Sequence, residues 1–159
     1  MRYLGLDLGT RTLGLSLSDT TFTIASTLKT IRFNENDYEF LLNELDNIIK
    51  EYNITKMVLG FPKNMNNTIG ERCETTLMFQ KLLIERFNLE VILQDERLTT
   101  VEATNYMIAA DISRKKRKKK VDALAANIIL QTYLDKEKGG RLWKKKQWHL
   151  KLLTMKEKK

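Results

Sequence analysis

One cysteine, one histidine and one proline are found among 159 residues, and each scarcity removes a class of chemistry. The single cysteine, Cys73, cannot close an internal disulfide. One Cys and one His cannot assemble a tetrahedral zinc site. Cys73 also lacks a base for a nucleophilic role, because the sole histidine, His149, sits in a basic tail. Cys73 falls in a predicted helix and is expected to be a buried, inert thiol. No apolar run approaches the ~18–20 residues of a membrane span. The N-terminal residues Met1 to Asp7 reach an acid too soon to hold a signal-peptide core. The expectation is a cytoplasmic protein with no membrane partner.

What the chain does have is a normal core and an uneven charge. With 42% hydrophobic residues it can bury enough apolar surface to fold, and its length fits one domain of roughly 100–200 residues. The formal net charge is +8. Residues 136–159 carry ten Lys/Arg against two Glu, so this segment alone holds the whole surplus. Residues 1–135 are therefore neutral in sum, yet they include Arg114 to Lys120, an unbroken run of seven basic residues. The remainder of the body is thus mildly acidic, with two basic attachments. That layout suits a polyanionic partner held through phosphate contacts.

Leu4, Leu6 and Leu8 alternate with Tyr3, Gly5, Asp7 and Gly9, which predicts a strand over 2–8. Gly9-Thr10-Arg11 is a turn, and Leu13, Leu15 and Leu17 alternate in a second strand, so the two form an antiparallel hairpin. A third strand is expected over Phe22–Thr30. Phe40, Leu41, Leu45, Ile48 and Ile49 recur at helical spacing within 34–52. Lys56–Phe61 is a short apolar strand stopped by Pro62, followed by an Asn-rich loop to Gly70. A helix over Glu71–Phe87, a strand over Val91–Gln94, a helix from Thr99 or Thr100 to about Ala110, and a helix from Val121 ending near Gly139-Gly140 complete the pattern. The order β-β-β-α-β-α-β-α-α implies an α/β fold. Its five-stranded mixed sheet is an antiparallel meander followed by βαβ units, with helices on both faces. The domain is expected to span 1–138, with a basic tail over 139–159.

Three acids stand out. Asp7 lies inside a strand expected to be central, where a charge is costly unless paired or bound to a cation. Gly5 and Gly9 share its face and are expected to clear space for a ligand. In Asp95-Glu96-Arg97, directly after a strand, one acid faces the side of Asp7 and the other the opposite side. Spacing alone leaves open which. Asp122 heads the stripe Asp122, Ala125, Ala126, Ile129, Tyr133, and the two alanines let that helix press close to the sheet. Three carboxylates from distant segments make a hard-oxygen site suited to Mg²⁺ or Mn²⁺. Two such ions about 4 Å apart can activate water and stabilise a leaving oxygen. Thr10, Arg11, Lys63, Asn64 and Arg97 flank these segments as candidate phosphate contacts. The run Arg114, Lys115, Lys116, Arg117, Lys118 and Lys119 would deliver a phosphate next to Asp122, which points to a nucleic-acid substrate.

Four segments together resemble one family: Leu6-Asp7-Leu8-Gly9-Thr10-Arg11, Gly60-Phe61-Pro62-Lys63-Asn64-Met65, Asp95-Glu96-Arg97-Leu98-Thr99-Thr100-Val101-Glu102-Ala103, and Lys119-Lys120-Val121-Asp122-Ala123-Leu124-Ala125-Ala126. Their order and spacing are similar to the YqgF family, described as Holliday junction resolvases or pre-16S rRNA nucleases, over residues 2 to 135. The resemblance implies an RNase H-like fold, a divalent metal, and a hydrolase acting on structured nucleic acid. It carries the family's acids onto Asp7, Glu96 and Asp122, choosing Glu96 over Asp95. Asn67 departs from the pattern, where Gly is more usual.

The expectation is a Mg²⁺- or Mn²⁺-dependent endonuclease maturing the 5′ end of pre-16S rRNA, with ribosomal particles as a further partner. A resolvase acting on four-way DNA junctions is the alternative, and it would favour a symmetric dimer. The expectation is a monomer or weak homodimer, and a monomer with nucleic acid bound would count against the resolvase. A non-catalytic nucleic-acid binder is a third reading. A sugar-kinase-like ATPase, suggested by Asp7-Leu8-Gly9-Thr10, would need a second lobe for which this chain is too short.

Overall fold

The computed structural model describes residues 1–62, 70–95 and 124–138. Seven elements are bounded there: β1 (Arg2–Leu8), β2 (Thr12–Ser18), β3 (Ala25–Arg32), α1 (Tyr38–Glu51), β4 (Ile54–Phe61), α2 (Glu71–Phe87) and β5 (Glu90–Asp95). Residues 124–138 form a further helix, α3. The expected helix beginning at Thr99 or Thr100, the basic run and the tail lie outside the described residues.

The five strands form one mixed sheet in the order β3-β2-β1-β4-β5. β1 is antiparallel to β2 and parallel to β4, and β5 is parallel to β4. β1 is therefore central, as its alternating leucines implied. Its even-numbered side chains enter a large core with α1 and α2, which includes Leu4, Leu6, Leu8, Leu15, Leu45, Leu59 and Phe79. Its odd-numbered positions face α3, where Val58, Ile129, Leu130 and Leu134 form a smaller cluster with Tyr3 packed against it.

Two boundaries differ from the sequence expectation for a local reason. α1 starts at Tyr38 rather than near Asn34, because Asn36 adopts a left-handed φ of 67° and Asp37 caps the helix by accepting the Phe40 N–H at 3.3 Å. Phe40 is exposed, and Leu42 takes its place on the buried stripe with Leu41, Leu45 and Ile48. β3 begins at Ala25 rather than Phe22, because Asp19 folds the preceding residues into a turn. Its carboxylate accepts N–H bonds from Thr23 (2.8 Å) and Ile24 (3.0 Å) and a short hydroxyl bond from Thr21, while Phe22 takes a φ of 57°. These bonds, led by that from Thr21, pull the Asp19 carboxyl down to about 2.

α2 ends on Asn88 in the left-handed region, whose N–H bonds the Ile84 carbonyl at 2.9 Å. Cys73 is buried in α2, its Sγ donating to the Pro62 carbonyl at 2.9 Å, as expected of a structural thiol. No helix among the described residues is long and apolar enough to cross a membrane.

Candidate active site

Asp7 is the penultimate residue of the central strand, partly buried, on the face covered by α3. Its partner on β2 is Gly14. On the other side Leu6 pairs with Leu59, so the same register brings Gly60 beside Asp7. Asp7 thus has a residue without a side chain on each flank. The sequence reading assigned that clearing role to Gly5 and Gly9 instead, and the structure corrects it. A Cβ on Gly5 would first meet the Ser16 Oγ, and would lie 2.8 Å from the Leu130 Cβ and 3.0 Å from the Ala126 carbonyl oxygen, so its missing side chain is filled by Ser16 and α3. A Cβ on Gly9 would lie 3.0 Å from the Thr12 Oγ1, inside the tight turn closed by the Gly9 N–H bond to the Thr12 carbonyl at 2.7 Å. The pleat identified the shared face correctly, but it could not say what covers each position.

α3 is fastened to this face at both ends. Ser16, fully buried on β2 opposite Gly5, donates its hydroxyl to the Ala126 carbonyl at 2.7 Å. At the far end Lys56 Nζ reaches Tyr133 OH at 3.0 Å and Glu137 Oε1 at 3.5 Å, and lies 4.8 Å from the centroid of the Tyr3 ring. Burial opposes the charge of Lys56, but the bond to Tyr133 and the Glu137 carboxylate outweigh it and raise the ammonium above the ordinary lysine range. Ala126 and Leu130 therefore sit over Gly5, while Tyr133 sits near Tyr3. α3 runs antiparallel to β1, and its N-terminal end heads toward Asp7.

Asp95 is the last residue of β5 and pairs with Phe61. Leu59 and its partner Leu93 belong to the α1/α2 face, and Phe61 and Asp95 are two residues further along their strands. Asp95 therefore belongs to the row facing away from Asp7. Of the remaining candidates, Thr10 and Arg11 are exposed in the turn directly after β1. Lys63, Asn64, Glu96, Arg97, Arg114, Lys115, Lys116, Arg117, Lys118, Lys119 and Asp122 lie outside the described residues. Among the described residues no three Asp, Glu, His or Cys side chains converge as metal ligands. A cleft of about 250 Å³ lined by Leu8, Thr10, Glu35, Tyr38, Glu71 and Arg72 opens on the α1/α2 side of the sheet. The sequence reading missed Gly14, Gly60 and Ser16. Only the strand register, which pairs residues distant in the chain, identifies them.

A family model described as RuvX, Holliday junction resolvase, matches residues 1–136. The chain belongs to the RuvX family. The resemblance noted in the four sequence segments therefore holds, and RuvX membership makes this chain a nuclease, a hydrolase of phosphodiester bonds acting on nucleic acid. A Bacillus subtilis relative named "Putative pre-16S rRNA nuclease" is 53% identical over 135 residues, covering 85% of this chain and 98% of the relative. A Leuconostoc mesenteroides relative of the same name is 52% identical over 145 residues, covering 91% of this chain and all of the relative (100%). Among solved structures, Thermus thermophilus RuvC in complex with a Holliday junction substrate is similar in fold, with a TM-score of 0.57 at 14% identity over 87% of this chain and 96% of that one. The RuvX chain thus has the mixed sheet that its element order implied, in the RNase H-like architecture that the family resemblance implied.

Proposed function

We propose that this chain is a Mg²⁺- or Mn²⁺-dependent endonuclease whose site is built from Asp7, Glu96 and Asp122, and whose substrate is the 5′ end of pre-16S rRNA. The observation that carries the reading is the approach of α3 to the sheet face that holds Asp7. Ala126 lies over Gly5, and α3 runs antiparallel to β1. One further helical turn before Ala126 is about 5.4 Å, close to the roughly 6.6 Å that separates Gly5 from Asp7 along the strand. On the helical stripe expected from the sequence, that step leads from Ala126 to Asp122. Alternation along β5 supports the choice of acid in the third segment. Asp95 belongs to the row facing away from Asp7, so the next residue, Glu96, is the one expected on its side.

The donor chemistry fits a hard divalent cation, since all three side chains offer carboxylate oxygens. Gly14 and Gly60 leave the flanks of Asp7 without competing side chains. A bound divalent cation would supply Lewis-acid stabilisation to the charge that develops on the phosphate. Arg97, Lys63, Asn64, Thr10, Arg11 and the run Arg114–Lys119 would hold the backbone in reach of the acids. The family match stops at residue 136, which supports a nuclease domain over 1–138 with residues 139–159 as a basic attachment.

The pre-16S substrate rests on relatives at 53% and 52% identity that carry that name. Cleavage of four-way DNA junctions is the second reading, favoured by the description of the family model. The deciding experiment incubates the chain with a pre-16S 5′ fragment and with a four-way junction, each with Mn²⁺ or with chelator. Cleavage of the RNA in Mn²⁺ alone supports the leading reading. Symmetric cuts in the junction by a dimer support the second. No cleavage of either under any metal sinks both.

A further inference from the structure

The row of the sheet that holds Asp7 runs on past Gly60. The register that sets Gly60 beside Asp7 also pairs Gly60 with Gln94 on β5, the last strand of the sheet. Gln94 is thus two strands from Asp7, with only a glycine between them. It belongs to the α3 face. Val58 is buried against α3, Gly60 is two residues further along the same strand, and Gln94 is the partner of Gly60. In keeping with that parity, Gln94 lines a groove of about 310 Å³ with Ile92 and with Tyr133, Lys136 and Glu137 of α3. Two strand spacings of about 4.8 Å put the Gln94 backbone about 10 Å from that of Asp7.

Gln94 is only 9% exposed, yet its carboxamide is poorly met. Its Nε2 donates to the Asp95 backbone carbonyl at 3.4 Å, a long bond. Its Oε1 accepts no hydrogen bond from the described residues. Gln131 shows what a structural glutamine does in this fold. It accepts the Ala25 N–H at 2.8 Å and donates to the Thr23 carbonyl at 2.9 Å, using both ends. Burying an amide with one end unmet is unfavourable. The Asp95 carbonyl requires a donor, so it fixes the amide nitrogen and leaves the oxygen as the unmet end. Among the described residues the sealed side-chain polar atom without a partner is Asn127 Oδ1. Gln94 Oε1 is therefore unmet but still reachable.

We propose that Gln94 determines specificity: its Oε1 accepts a hydrogen bond from a ribose 2′-hydroxyl of the substrate strand, on a nucleotide beside the phosphate held at Asp7. The unmet atom is an acceptor, and phosphate oxygens have no hydrogen to give it. A ribose hydroxyl has one, and DNA lacks that hydroxyl. The absent side chain at Gly60 keeps the space between Asp7 and Gln94 open. The contact deepens the proposed nuclease site, rests on its reading of an RNA substrate, and gives that site a means to prefer RNA.

The test measures binding of the full chain in EDTA to a labelled pre-16S 5′ fragment and to the same fragment with 2′-fluoro in place of each 2′-hydroxyl. The second probe keeps the sequence and the charge but cannot donate. Gln94→Met, similar in length without the amide, should weaken binding to the RNA about fivefold, the scale of one neutral hydrogen bond. Binding to the fluoro form should stay within twofold, so the preference for RNA shrinks about fivefold. The salt slope should be unchanged on both probes, since no charge is lost. Gln80→Met, whose amide serves the Val91 carbonyl at 2.9 Å, should keep the full preference. With the unchanged protein, a short 2′-fluoro window moved along the fragment should find the same fivefold loss at the cut, whether or not the variant folds. A loss shared equally by the two probes, an unchanged preference in Gln94→Met, or no loss in the window at the cut overturns the contact. The nuclease reading fails differently, by cleavage that survives Asp7→Asn.

Discussion

The two faces of this sheet are built by different physics. The α1/α2 face is held by apolar burial: Leu4, Leu6, Leu13, Leu15, Leu41, Leu45, Met57, Leu59, Phe79 and Leu83 are all fully buried. The α3 face adds close approach and polar ties to its smaller apolar cluster: a glycine under a helix, a buried hydroxyl on a helix carbonyl, and a lysine clasped by Tyr133 and Glu137. In the first arrangement each leucine is positioned by the sum of many apolar contacts. The second fixes the helix at named atoms. The proposed meeting of Asp7 with acids from other elements needs that kind of fixing, and Asp7 is on the α3 face.

Substitutions on the two faces should therefore separate stability from activity. The largest stability effect is expected from Phe79→Ala, which empties the centre of the α1/α2 core and should cost about 3–5 kcal/mol in urea unfolding. Cleavage per folded molecule should stay within twofold. Gly5→Ala reverses that balance. Its Cβ meets the Ser16 hydroxyl that ties α3 down, and also Leu130 and the Ala126 backbone, which cannot rotate away, so Ser16 must turn and α3 must shift at a cost of about 1–3 kcal/mol. Cleavage per folded molecule should fall more than tenfold, which a purely structural role for Gly5 would not produce. Ser16→Ala removes one buried hydrogen bond and should cost about 1 kcal/mol by the same unfolding measurement, with a smaller loss of activity than Gly5→Ala.

The smallest effect belongs to neither face. Asp19 titrates near 2 in the folded chain, below its ordinary 3.8. A depressed carboxyl stabilises the fold at pH values above its unfolded pKa and loses that contribution as pH falls through the folded one. Stability should thus decline between about pH 4 and pH 2, and Asp19→Asn should flatten that part of the unfolding profile. A profile identical in the two proteins would remove Asp19 from the account.

The same contrast explains what was legible in the sequence. Burial on the α1/α2 face leaves a periodic trace, so β1, β2, β4 and α2 could be placed from leucine and valine spacing. Where a local polar group overrides periodicity, the trace misleads. Asp37 and Asn36 delay α1, Asp19 delays β3, and Phe40 lies on the helical stripe by spacing yet outside it in space. For the site, Asp7 was legible because an acid in an apolar central strand is costly. The closeness of α3 was legible in Ala125 and Ala126. The glycines beside Asp7 were not, because Gly14 and Gly60 become its neighbours only through strand register. The choice between Asp95 and Glu96 has the same origin. Counting along one strand gives alternation, and only pairing with β4 says which parity faces Asp7.

The face assignment is tested most directly by comparing Asp7→Asn with Asp95→Asn, two substitutions of equal size at the ends of parallel-register strands on opposite faces. Cleavage of the pre-16S 5′ fragment and of the four-way junction is measured in Mn²⁺, per folded molecule. Asp7→Asn should abolish cleavage while leaving binding in EDTA intact, and Asp95→Asn should retain most of it. Cleavage that persists in Asp7→Asn, or is lost equally in both variants, would contradict the account.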